Sequence, residues 1–116
     1  MRIHVLSDDD HVREAAGALD SNKYTLGFSK DRKQALDAMR AGCDLAVIDL
    51  RNNGFAVARD LKAGSSTSDV RIVMLCDRAA DLWLCRQAGA ESVIVKPMSD
   101  PSELTSAVES VLSKVA

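Results

Sequence analysis

Three short apolar runs of this chain each end on a charged group. Ile3-His4-Val5-Leu6 runs into Ser7-Asp8-Asp9-Asp10, Leu45-Ala46-Val47-Ile48 into Asp49, and Val93-Ile94-Val95 into Lys96-Pro97. Carboxylates brought together repel one another, and a divalent cation is the usual remedy. Magnesium takes oxygen ligands and keeps waters, so two carboxylates and a backbone carbonyl suffice when a substrate phosphate supplies the rest. A carboxylate held beside such an ion can attack a phosphoryl donor and become an aspartyl phosphate. A lysine nearby would balance the added negative charge. Acids from two runs and a lysine from a third therefore outline an anion and metal site, if the fold brings the three ends together.

The elements that must do so alternate along the chain. Short runs rich in β-branched residues read as buried parallel strands. After the first, Val12, Ala15, Ala16 and Leu19 recur at helical spacing, with Asp9 or Asp10 as the cap. A second strand is expected over 24–28, with Tyr24, Leu26 and Phe28 on one side. A helix over 31–41 carries Ala35, Leu36 and Met39 and stops at Gly42. The third strand, 44–49, leads through Arg51-Asn52-Asn53-Gly54 into a helix with Phe55, Ala58 and Leu61 inward. Residues 64–68 form a loop, 70–75 a fourth strand, 79–88 a helix ending at Gly89, and 93–95 a fifth strand. In the last helix Asp100 caps, Pro101 sits in the first turn and Glu103 completes a capping box. Its inward stripe is Leu104, Ala107, Val108, Val111, Leu112 and Val115. Alternation of this kind predicts an α/β doubly wound five-stranded parallel sheet with five helices, flavodoxin-like, in the order 2-1-3-4-5. In such sheets ligands bind at the carboxyl ends of the strands, where the charged groups lie.

The chain has 116 residues, 47% of them hydrophobic and 28% charged, enough for one core and too few for two ordinary domains. The expectation is a single domain over 1–116. Lys and Arg total 15 against 17 Asp and Glu, for a net charge of −2, and the basic residues are scattered, so direct nucleic-acid binding is not expected. No stretch resembles a signal peptide or a membrane span. Cys43, Cys76 and Cys85 have no metal-finger spacing and read as packed free thiols in a reducing, cytoplasmic setting; a redox-sensing Cys76 is the alternative.

Over nearly its full length the chain resembles the receiver domain of two-component response regulators (CheY-like). The resemblance rests on the acidic turn after the first strand, the phrase Asp44-Leu45-Ala46-Val47-Ile48-Asp49, Gly89-Ala90 before the fifth strand, and Lys96-Pro97. It implies Asp49 as the phosphoacceptor, Asp8 and Asp49 as magnesium ligands with Asp9 as a further candidate, and Lys96 as the phosphoryl contact. It also implies a cis Lys96-Pro97 peptide. The direct register, which needs no gap, puts Ser7 and Asp8 at the family's two acidic positions; a register one residue later puts Asp8 and Asp9 there. Cys76 stands at the usual Thr or Ser position and is a weaker donor, and Val93 replaces the usual switch aromatic. The loops after Asp49 and after Cys76 are shorter than the family's.

The resemblance implies a phosphorelay role. The phosphoryl donor would be a histidine kinase or phosphotransfer protein, and the output a protein contacting the helix 4/strand 5/helix 5 face, with a homodimer as a further expectation. Trp83 would face outward there or fold over Ala79 and Ala80. The alternative is an atypical receiver acting as a phosphorylation-independent interaction module. No glycine-rich phosphate loop, Ser-His-Asp arrangement or cofactor motif is present, so enzymatic activity beyond self-phosphorylation and autodephosphorylation is not expected.

Overall fold

The computed structural model describes residues 1–113. Its elements are β1 (Arg2–Leu6), α1 (Asp10–Gly17), β2 (Thr25–Ser29), α2 (Arg32–Ala41), β3 (Leu45–Asp49), α3 (Phe55–Ala63), β4 (Arg71–Cys76), α4 (Leu82–Gln87), β5 (Ser92–Val95) and α5 (Ser102–Ser113). The five strands are parallel in the order β2-β1-β3-β4-β5, as the alternation of elements predicts.

Strand period two divides the core into two layers. Ile3, Val5, Leu45, Val47, Val73, Leu75 and Ile94 face α1 and α5. Leu6, Ala46, Ile48, Ile72, Met74 and Cys76 face α2, α3 and α4. All five residues of β3 are buried, as expected for a strand covered on both faces.

Several boundaries move. The second strand starts at Thr25 rather than Tyr24; Tyr24 and Leu26 join the α1/α5 layer. Phe28, on the sheet edge, is left exposed with the Arg13 guanidinium 4.9 Å from its ring centre. In α3 it is Val57 that is buried with Ala58 and Leu61, while Phe55 is half-buried. The helix expected over 79–88 begins as a tight turn, Ala79–Asp81, and becomes regular α-helix only at Leu82; no side chain caps the turn. Asp100 accepts from the Ser102 N–H (2.8 Å), but Glu103 reaches back to the Ser99 N–H (3.0 Å) instead of Asp100. Leu104, Ala107, Val108 and Val111 are buried and Leu112 packs beside them; Val115 lies outside the described residues.

Candidate functional site

The same alternation that builds the α1/α5 layer carries past the strand ends and selects the site. Beyond Ile3 and Val5 come Ser7 and Asp9; beyond Leu45 and Val47 comes Asp49; beyond Val73 and Leu75 comes Asp77; beyond Ile94 comes Lys96. Strand pairing places these ends side by side, with Leu6 opposite Ile48, Asp49 opposite Leu75 and Cys76 opposite Val95. A ladder bond from the Lys96 N–H to the Cys76 carbonyl (2.8 Å) extends the β4–β5 register by one step.

Asp49 is fully buried. Its Oδ2 accepts from the Lys96 ammonium at 2.8 Å and from the Ser7 hydroxyl at 2.9 Å, and its Oδ1 accepts from the Arg51 N–H at 3.3 Å. Lys96 Nζ also lies 3.2 Å from Asp9 Oδ2 and 3.4 Å from Asp77 Oδ1. The turn after Asp49, Leu50–Gly54, is irregular, with Asn53 in the left-handed region (φ 58°). Asn52 Oδ1 in that turn accepts from the Asp8 N–H (3.3 Å), tying it to the β1–α1 turn.

The acid that meets Lys96 from the β1–α1 turn is Asp9, not Asp8. Asp9 is the N-cap of α1, its Oδ1 accepting from the His11 N–H (2.9 Å), which leaves Oδ2 facing the lysine. Asp8 has the opposite strand parity and is exposed. Ser7 is buried and bridges the two acids, since its Oγ also accepts from the Asp9 N–H (3.0 Å).

The charges tune one another. Burial raises the Asp9 pKa, but the Lys96 hydrogen bond, the His11 N–H and the lysine's charge outweigh it and hold the carboxyl below its usual range. Burial lowers the Lys96 pKa, and the hydrogen bond and charge of Asp49, then Asp9, reverse this so that the net shift is upward.

Cys76 does not join the site. Its parity sends the thiol into the α2/α3/α4 layer, where Sγ donates to the Arg78 carbonyl (3.3 Å) and meets Cys85. Burial raises the Cys76 pKa and pushes Cys85 up to about 12, the opposite of what a reactive thiolate needs. Asp77, one residue on, takes the place beside Lys96. It is not among the site residues expected from the sequence, where its distance of two residues from Leu75 is the available signal. A cavity of about 760 Å³ opens over the cluster, lined among others by Asp9, His11, Asp77, Lys96, Pro97 and Met98. The Lys96-Pro97 peptide is cis.

The doubly wound architecture and the strand order are those of CheY-like receiver domains of response regulators. Solved structures sharing it over nearly the whole chain include the receiver domain of the sensor histidine kinase PA1611 from Pseudomonas aeruginosa, with magnesium in its active-site cleft. That domain is 22% identical (TM-score 0.82), covering 97% of this chain and 98% of that one. A CheY-like receiver domain protein from Methanospirillum hungatei is 18% identical (TM-score 0.82; 97% and 94% covered). The chemotaxis regulator CheY4 of Vibrio cholerae is 18% identical (TM-score 0.79; 95% and 97% covered). No family model and no curated protein matches the chain. No helix among the described residues is long and apolar enough to cross a membrane.

Proposed function

We propose that this protein is a two-component receiver that accepts a phosphoryl group on Asp49 and signals through protein contacts. The observation that carries the reading is the Lys96 ammonium, delivered from the end of β5 to 2.8 Å from a fully buried aspartate at the end of β3. In the reaction a carboxylate oxygen of Asp49 attacks phosphorus. The bond from phosphorus to the donor's imidazole nitrogen, or to the acyl oxygen of a small acyl phosphate, breaks as the new P–O bond forms. The donor atom leaves with the electron pair, an imidazole then taking up a proton. Lys96 balances the charge of the acyl phosphate, and water later hydrolyses it. The donor is a histidine kinase or phosphotransfer protein. The output partner meets the α4–β5–α5 face, where Trp83 stands 69% exposed.

Magnesium does not fit the donor set as it stands. Asp9 is paired with Lys96, a hydroxyl rather than a carboxylate sits at Ser7, and among the described residues no three His, Cys, Asp or Glu side chains converge to hold a metal ion. Asp49 is paired with Lys96 as Asp9 is, and of the three proposed ligands Asp8 alone has no ion-pair partner among the described residues. Ser7→Asp should supply the missing carboxylate. Without metal it should lower stability by about 1–3 kcal/mol, through a buried charge beside Asp49. Magnesium should then raise its Tm well above the shift seen in the native protein. Equal magnesium responses in thermal melts would refute the assignment of this deficit to Ser7.

A second reading is favoured by two observations: the lysine is already ringed by carboxylates, and the Cys76 thiol is turned away. On that reading the domain binds partners without phosphorylation. Incubation with acetyl phosphate, with and without magnesium, separates the two by intact mass. We expect a gain of one phosphoryl group that Asp49→Asn abolishes. No gain, or an equal gain in the variant, sinks the phosphoacceptor reading.

A further inference from the structure

An ammonium group has three N–H donors and no acceptor. In this chain three carboxylates surround that of Lys96: Asp49 at 2.8 Å, Asp9 at 3.2 Å and Asp77 at 3.4 Å. The lysine's side chain is only 7% exposed, so water offers it little further room. Asp49 and Asp9 take two of its donors, and an oxyanion that is to contact the third must compete with the nearby Asp77 carboxylate.

The three are not equally held. Asp49 is buried and fixed by Ser7 and the Arg51 N–H. Asp9 is fixed as the cap of α1. Asp77 has the longest contact, its side chain is 56% exposed, and Lys96 is its ion-pair partner among the described residues. The adjacent Arg78 faces Asp81 instead, at 3.1 Å and 3.3 Å. Asp77 and Lys96 both line the cavity through which a donor would approach.

We infer that Asp77 occupies, in the resting protein, the place on Lys96 that a phosphoryl oxygen takes, and so sets how strongly the site accepts a phosphoryl group. It is a positioning residue acting through the lysine. Its carboxylate, 3.4 Å from the ammonium as an ion pair without a hydrogen bond, stands in the way of an incoming anion and repels it from the mouth of the cavity. Strand parity makes this a built feature: position 77 falls on the site face and position 76 on the other. The inference rests on the phosphoacceptor reading and names its internal competitor.

Beryllium fluoride, which forms a phosphoryl-like adduct on a carboxylate, tests it. Binding in the presence of magnesium would be followed by fluorine NMR for the native chain and for Asp77→Asn, Asp77→Ala and Asp77→Glu. Removing a unit charge this close to the bound anion, at the edge of solvent, should tighten binding about tenfold in the Asn and Ala variants. Asp77→Glu should bind like the native chain, and the gain should shrink as salt is added. Binding seen only in the neutral variants supports the inference as well. Equal affinity across all four proteins overturns the inference and leaves the phosphoacceptor reading in place. No adduct in any of them, like one that survives in Asp49→Asn, removes that reading and the inference with it.

Discussion

Replacing Lys96 by Met should lower stability by about 2–4 kcal/mol, because a fully buried carboxylate loses its cation while keeping its burial. The Ser7 hydroxyl and the Arg51 N–H remain on Asp49 and keep the loss from being larger. Urea denaturation measures it. The double variant Lys96→Met/Asp49→Asn should recover most of the loss, since a neutral amide needs no counter-ion. A single variant within 0.5 kcal/mol of native (about the scatter of an ordinary surface substitution) would show that the ion pair contributes nothing net. The pH dependence follows from the direction of the lysine's shift. Its folded pKa lies above the ordinary 10.5, so the stabilisation is complete below that pH and is lost as pH rises through the higher folded value. Asp9 behaves oppositely. Its pKa lies below the ordinary 3.8, so its contribution is present above that pH and is lost as acid takes the pH down through the folded value.

Gly54→Ala should destabilise by about 2–3 kcal/mol through steric overlap alone. The glycine's backbone (φ −62°, ψ −36°) would accept alanine without strain. A Cβ there, however, would overlap the Asp49 carbonyl oxygen and lie 2.9 Å from its carbon and 2.8 Å from Ile48 Cγ2. These atoms belong to β3, held between β1 and β4, and cannot move without shifting Asp49. Gly17→Ala is the control, since nothing lies within 4 Å of the added carbon. Equal urea midpoints for the two variants would show that the turn after Asp49 has slack, and that the close approach of chain at Gly54 is not what holds the carboxylate in place.

Much of the fold was legible because its signals are local. Val12, Ala15 and Ala16 sit on one helix face whatever surrounds them, and Ile48 beside Asp49 marks a strand end in any context. Boundaries were less legible where only packing decides them. Tyr24 is buried yet lies outside β2, and Ala79–Asp81 is a tight turn although its residues continue into α4. At the site, Asp49 and Lys96 were marked by their places at the ends of apolar runs, and their contact distance of 2.8 Å is a property of the sheet. Asp8 matches the family pattern in the register without a gap, whereas the side chain that reaches the lysine is Asp9, set by the cap of α1.

The amino-acid sequence by itself determined the order of strands and helices, the charged ends of three strands and the face on which every second residue lies. Those are consequences of period-two and period-3.6 patterning, which needs no partner to be read. Only the tertiary structure decided which carboxylates share one ammonium. Residues 9, 49, 77 and 96 come from four separate strand ends, and their convergence depends on strand register, on a helix cap and on an irregular turn. Three-dimensional placement turned an acidic cluster awaiting a metal into one lysine enclosed by three aspartates.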